Sequence, residues 1–489
     1  MSQTNRYLEG SMAPVADEVT AVDLPVTGTI PEELEGRWLR NGPNPLGAVD
    51  PSAHHWFLGD GMVHGVRLRG GRAEWYRNRW VRGPRVAAAL GEPAPSGMSF
   101  GGRDLGPNTS VGGFAGRTWA MVEAGSTPMT LTSELDTIGF DGFGGTLPAG
   151  FTAHPKFDPA SGELHAVCYA YPEALDRVQH VVVDPDGRVS KVTDIPVDGM
   201  PMVHDMSLTA SSVLVYDLPV CLDLERAMGG SPFPFSWNPG HAARVGVLPR
   251  SGTADDIVWC EAPQAYVFHP VNAYDAVDGT VVVDVCRYDT MFDRDRLGPA
   301  GDSTPSLARW TVDPVAGRVT ETPLADGAHE FPTHDPRVGT QRHRYAFTAA
   351  GLGLGPTARV DVETGETVVH DHGTDRFGAE PIVVPKAGST LEGDAWILVC
   401  VNDRAGGPAD LVVLDGSDLS GPSVARVHLP RRVPDGFHGS WVPDTSVAPV
   451  CAQTSPRPSG LPSATCCSRS GRMPPRCVRA GRPPIWQPT

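Results

Sequence analysis

The sequence predicts an all-β protein, a β-propeller of short antiparallel sheets, and three observations carry that expectation. A unit of apolar strand, Asp, short turn ending in Gly, and second strand recurs at 158–162, 184–187, 275–279, 313–317 and 361–365. The Asp side chain bonds backbone N–H groups of the turn, and Gly supplies the positive φ that a hairpin needs. The flanking runs are rich in β-branched residues: VVVDVCRY at 281–288, AWILVCVND at 395–403 and DLVVLD at 410–415. Glycine (56) and proline (48) are abundant without a collagen-like period, as many tight turns require. Repeated hairpins suit propeller blades. A pair of β-sandwiches is the alternative, and the spacing is too irregular to count blades. The segments PEALDRV at 172–178 and LDLERAMGG at 222–230 are each expected to form a helical turn or two.

At 489 residues, 40% hydrophobic and 20% charged, the chain can bury a large core. A net charge of −17 argues against a nucleic-acid partner and against electrostatic docking on an anionic membrane. No run of 18 apolar residues is present, and the opening MSQTNRYLEGSMAPVADEVT lacks the apolar stretch of a secretory signal. Cys168, Cys221, Cys260, Cys286 and Cys400 sit singly in apolar runs, and no CxxC pair occurs. They read as buried thiols of a cytoplasmic protein. Only Lys156, Lys191 and Lys386 are lysines, against 37 arginines, a skew that a GC-rich coding sequence accounts for.

Residues 1–30 read as an N-terminal extension and 31–444 as the propeller. The stretch 445–489 is a different polymer, with six Arg, four Cys, no Asp or Glu and almost no apolar periodicity. It is expected to be disordered, or an out-of-frame product; a basic interaction tail is the other reading.

With sixteen histidines in the chain, four of them are no signal by number. His154, His204, His269 and His438 are spaced by 50, 65 and 169 residues, unlike the i, i+4 pair of a zincin helix. A lone His beside Pro or Asp is more often a satisfied structural residue. The contexts say more: GFTAHPKFDPASGELH, GMPMVHDMSLT, AYVFHPVNAYD and PDGFHGSW. Each His lies at one end of an apolar stretch beside Pro, Asp or Gly. That placement suits the axial rim of a propeller, where one residue per blade can point at a common centre.

In order, these contexts resemble the iron-ligand motifs of the carotenoid cleavage oxygenase family. EGRWLRNGPNP at 35–45, FLGDGMVHGVRLRGGRAEWYRNRWV at 57–81, RVGVLPR at 244–250 and EFPTHDPRVGTQRHRYAF at 330–347 agree with it. The resemblance implies a seven-bladed β-propeller with a cap of loops and short helices over an axial metal site. It places iron, Fe(2+), on His154, His204, His269 and His438. It also places glutamates that accept hydrogen bonds from the ligand imidazoles at Glu123 (AMVEAGSTP), Glu330 (HEFP) and Glu380 (GAEPIVVP). Imidazole suits iron, and also zinc or copper; a carboxylate behind a ligand fixes its tautomer and offsets part of the metal's charge. Four ligands on an octahedral ion leave two positions open, and O2 needs at least one. The implied reaction is scission of a C=C bond by O2 to two carbonyl products in an apolar tunnel. No general acid or base is required.

The substrate expected is a carotenoid or apocarotenoid, with a lignostilbene-like phenylpropanoid as the alternative. Stilbene cleavers, by the same resemblance, carry a lysine directly before the first glutamate, and here Val122 stands in that place. Arg117 in FAGRTW is read as a turn residue. A carotenoid carrier that has lost ligands and a metal-free interaction propeller are rival readings. SPFPFSWNPG at 231–240 holds Phe233, Phe235 and Trp237 between prolines. It is a candidate apolar patch for peripheral contact with a membrane surface, unless its aromatics pack inward. Oligomeric state is not encoded in any pattern.

Overall fold

Each of the five Asp-to-Gly turns joins two antiparallel strands. Their glycines take φ between 67° and 88°. The carboxylates of Asp158, Asp184, Asp313 and Asp361 accept N–H groups of their own turns. Asp275 is the exception: its carboxylate takes the hydroxyls of Thr209 and Ser211, and Asp278 bonds the turn N–H instead.

The computed structural model describes residues 5–102, 105–171, 173–299, 301–351 and 355–444, all within one unit, Met1–Val447. The expectation for 445–489 lies outside the described residues. The architecture is all-β with few helices, a propeller-like arrangement of small sheets. Strand pairing does not deliver seven separate blades. Among the described residues six sheets have four or more strands, beside the ribbon of Val220–Leu222 with Phe235–Trp237. The largest has eight strands and consists of two antiparallel meanders joined by a single parallel pair, Glu261 with Arg318.

Gly36–Pro43 near one end of the chain pairs with Gly439–Pro443 near the other, Arg40 opposite Gly439. Beyond that strand, Asp444 is bonded by Arg67 and Arg69 at 2.7 Å each. The segment 1–30 is stitched into two sheets: Val19–Val22 pairs with Arg72–Trp80, and Val26–Gly28 with Ala425–His428. Trp38, Tyr76 and Trp310 are among the largest side chains fully buried between sheets.

The helical turn expected at 222–230 forms as Leu224–Met228, capped by Asp223, which accepts the Arg226 N–H. Among the described residues of 172–178 no helix is present. Arg177 and Val178 begin the strand Arg177–Val183, where Val178 is buried and paired with Ile195, so sheet pairing outweighs local helix propensity. Pro84–Leu90 is a helix the sequence reading passed over, opened by Pro84 and ended by left-handed Gly91. Among the described residues no helix is long and apolar enough to cross a membrane.

Candidate metal centre

The four histidines stand on or just before edge strands. His154 precedes Lys156–Phe157, His204 precedes Met206–Leu208, His438 precedes Gly439–Pro443, and His269 lies in Tyr266–Asp275 at a shift of register. The strands after His204 and around His269 are the two opposite edges of the eight-stranded sheet. That sheet therefore curls until its edges meet. All four rings converge. His154 lies 4.3 Å from His204, 5.4 Å from His269 and 4.6 Å from His438 between centroids, and His269 lies 4.8 Å from His438. One nitrogen each from His154, His204 and His269 falls within a mutual 4.8 Å; His438 completes the ring cluster without belonging to that set.

Each glutamate stands behind a different imidazole. Glu330 accepts Nδ1–H of His269 at 2.6 Å, and Glu380 that of His438 at 2.7 Å. Glu123 lies 2.6 Å from Nδ1 of His204, although the alignment falls short of a hydrogen bond. The second oxygen of each carboxylate is held as well: Tyr169 donates to Glu123 at 3.0 Å, Tyr288 to Glu330 at 3.1 Å, and the Gly439 N–H to Glu380 at 2.8 Å. Two of the glutamates precede strained backbone, Ala124 at φ 59° and Phe331 at φ 47°. Gly150 lets the His154 loop approach the Glu123 turn: a Cβ there would lie 2.0 Å from the Gly125 main chain.

Burial pushes the Glu123 carboxyl up to about 8, against the pull of its Tyr169 hydrogen bond. Burial also disfavours charge on Glu330 and Glu380. Their histidines and backbone donors outweigh it, and both carboxyls end below the usual range. Burial keeps His154 and His204 neutral, their pKa values well below the ordinary one.

These residues fit a cation. A carboxylate at Nδ1 calls for the Nδ1–H tautomer, which leaves Nε2 as a bare lone pair. Yet Nε2 of His204 and Nε2 of His269 face each other at 3.2 Å, and Nε2 of His154 is buried without a hydrogen-bond partner. A metal ion between these nitrogens would take each as a ligand, in place of the hydrogen bond that the His204–His269 pair can share without it.

The rings of His204, His269 and His438 line a cavity of about 800 Å³. Its wall is apolar and aromatic, with Phe57 set edge-on to Phe233, Phe268 and Phe437 at 5.4–5.9 Å. Apart from the histidines, the charged groups lining it among the described residues are Glu123, Glu330 and Arg404. Val122 lines it too, whereas Arg117 pairs with Asp141 at the surface. The segment 231–240 is not the exposed aromatic patch expected of a lipid-dipping loop. Phe235 is buried, and Phe233 stacks on His55 at 4.0 Å and lines the cavity, because the ribbon with Val220–Leu222 turns it inward. Tyr169, Tyr288, Phe331 and Asp205 are site residues that the sequence reading missed. Asp205 directly follows His204, and that adjacency was the signal available.

A family model described as retinal pigment epithelial membrane protein matches residues 12–443. The carotenoid cleavage oxygenase of Mycobacterium tuberculosis is 45% identical over 494 residues, 90% of this chain and 98% of that protein. Of the solved structures, the lignostilbene dioxygenase of Pseudomonas brassicacearum superposes with a TM-score of 0.80 at 28% identity, covering 90% of this chain and 99% of its own. The cobalt-substituted apocarotenoid oxygenase of Synechocystis gives 0.78 at 26%, covering 88% and 97%. The chain is therefore an enzyme of the oxygenase type, and it belongs to the retinal pigment epithelial membrane protein family, that of the carotenoid cleavage oxygenases.

Proposed function

We propose that this chain is a non-haem iron(II) dioxygenase that splits a C=C bond of a carotenoid or apocarotenoid with O2, giving two carbonyl products. The observation that carries the reading is the facing pair of Nε2 atoms on His204 and His269, joined by His154 and His438 at an apolar cavity. Those four imidazoles would hold the ion, and Glu123, Glu330 and Glu380 would fix three of them. Bound iron(II) would supply activation of O2 beside the alkene. The aromatic wall around Phe57 orients a rod-like polyene and excludes water, and the glutamates keep their imidazoles in the metal-binding tautomer. No side chain needs to move a proton. A hydroxystilbene is the second reading, favoured by the likeness to the lignostilbene dioxygenase. Val122 speaks against it, since the residue beside Glu123 offers a phenolate no donor.

The same proposal takes 31–444 as a seven-bladed catalytic propeller with 1–30 as its extension. An eight-stranded sheet whose opposite edges meet at His204 and His269 is folded in half. Splitting it at the Glu261–Arg318 pair leaves two four-stranded blades, which with the other five larger sheets make seven. The isolated buried thiols support a cytoplasmic setting.

The test is aerobic incubation of the Fe(II)-loaded protein with a panel of apocarotenals and hydroxystilbenes, with product masses as readout. Paired carbonyl fragments from an apocarotenal are expected, and none from His204→Ala. Full turnover by that variant would overturn the metal assignment.

A further inference from the structure

Three of the four imidazoles have a glutamate at Nδ1, and His154 does not. Its Nε2 is 3.6 Å from Glu123, and its Nδ1 is 3.6 Å from Oδ2 of Asp205, just beyond hydrogen-bond length. Asp205 is itself tightly fixed. Its side chain is 2% exposed, Lys156 Nζ reaches both of its oxygens at 2.8 Å, and the Met206 N–H donates to it at 2.6 Å. The lysine is notable in a chain with 37 arginines and three lysines. Each lysine holds two acceptors: Lys156 both oxygens of Asp205, Lys191 the carbonyls of Arg250 and Gly252, Lys386 the carboxylates of Asp394 and Asp415. A compact ammonium neutralises one carboxylate as a point charge, where the wide fork of arginine would need more room.

We infer that Asp205 is the positioning carboxylate of His154, and that Lys156 cancels its charge. His154 is then oriented without a fourth net negative charge beside the metal. The three glutamates already oppose a 2+ ion with up to three charges. An uncompensated fourth would hold the cation more tightly and stabilise its oxidised state. The inference rests on the metal reading of the four histidines.

Its test is cobalt(II) titration of the full chain, read from the visible d–d absorption, with the Tm of the metal-free protein as a control. Asp205→Asn is expected to weaken Co(II) binding about 10-fold or more. Lys156→Met, which uncovers the carboxylate, is expected to tighten it about 3-fold or more. Opposite signs separate this role from a structural tie between two strands, which would weaken both variants alike. The inference is overturned if Asp205→Asn binds within about twofold of wild type, or if Lys156→Met binds unchanged or more weakly. Should Asp205→Asn fail to fold, the sign of the Lys156→Met change decides alone. If the wild-type protein binds no cobalt, the metal reading itself has failed.

Discussion

Glu330 and Phe331, neighbours in sequence, grip one imidazole from two sides: the carboxylate accepts Nδ1–H of His269 at 2.6 Å, and the Phe331 ring stacks on the same His at 5.3 Å and 27°. Phe331 reaches that position through left-handed backbone, which costs a non-glycine residue about 1 kcal/mol or more. Consecutive side chains of a regular strand point to opposite faces. The register shift between Glu330 and Thr333 suspends that alternation here.

Replacing Glu330 by Gln tests what the carboxylate does beyond filling space. The amide oxygen can still accept from His269, but the charge that makes the imidazole a stronger ligand is gone. Metal affinity is expected to fall about 10- to 100-fold with little change in the shape of the cavity. Metal content after dialysis against a graded chelator series measures it. Retention equal to wild type would show that the charge of Glu330 is irrelevant to the metal.

Much of this candidate centre was legible in the sequence because each of the four histidines sits in a short local context that survives the fold. The pairing of glutamate with histidine was not. Glu123 with His204, Glu330 with His269 and Glu380 with His438 are brought together from 58 to 81 positions apart by the ring of sheets. Tyr169 and Tyr288 each end an apolar run, with nothing local to mark their roles, and their hydroxyls find carboxylates only across sheet boundaries. Sequence left the Phe233 loop with two readings for a related reason. Aromatic residues between prolines have the same composition whether they face lipid or the body, and the partner that decides, His55, lies far away in the chain.

Val122→Lys tests substrate class. The ammonium would enter the cavity beside Glu123, whose carboxyl burial now pushes up to about 8. A neighbouring cation favours the ionised carboxylate and offers a phenolate a donor. The ratio of kcat/KM for a hydroxystilbene over an apocarotenal is expected to rise at least about 10-fold. An unchanged ratio in a protein that still binds metal would remove Val122 from the determinants of specificity.

Acid should destabilise the protein well before its carboxylates titrate. Burial holds His64, His180 and His372 neutral, each down to about 3, with nearby cationic groups adding to the effect. Their pKa values are depressed in the fold, so the unfolded chain binds protons that the folded one refuses. The stability is fully present above about pH 6.5 and is lost as the pH falls below it. Each group contributes up to about 1.4 kcal/mol per pH unit in that window. Urea midpoints between pH 7 and 4.5 should fall steeply, and His64→Gln should flatten the dependence of stability on pH by up to about 1.4 kcal/mol per pH unit, the share of one such histidine. A midpoint constant from pH 7 to 4.5 would contradict the buried neutral state of these residues.

Truncation after Asp444 asks whether the propeller ends where its last strand ends. Gly439–Pro443 already pairs along Gly36–Pro43, and Asp444 is already clamped by Arg67 and Arg69. The residues that close the ring, from Arg40 opposite Gly439 to Gly36 opposite Pro443, all lie within the shortened chain. His438 is anchored independently through Glu380. The truncated protein is therefore expected to keep its Tm within about 2 °C and its full metal content. The carboxylate of the new terminus falls beside the two arginines, where added negative charge is tolerated. A large fall in Tm would mean that residues beyond 444 contribute to closure, and that the pairing of the two ends of the chain is not sufficient to hold the ring.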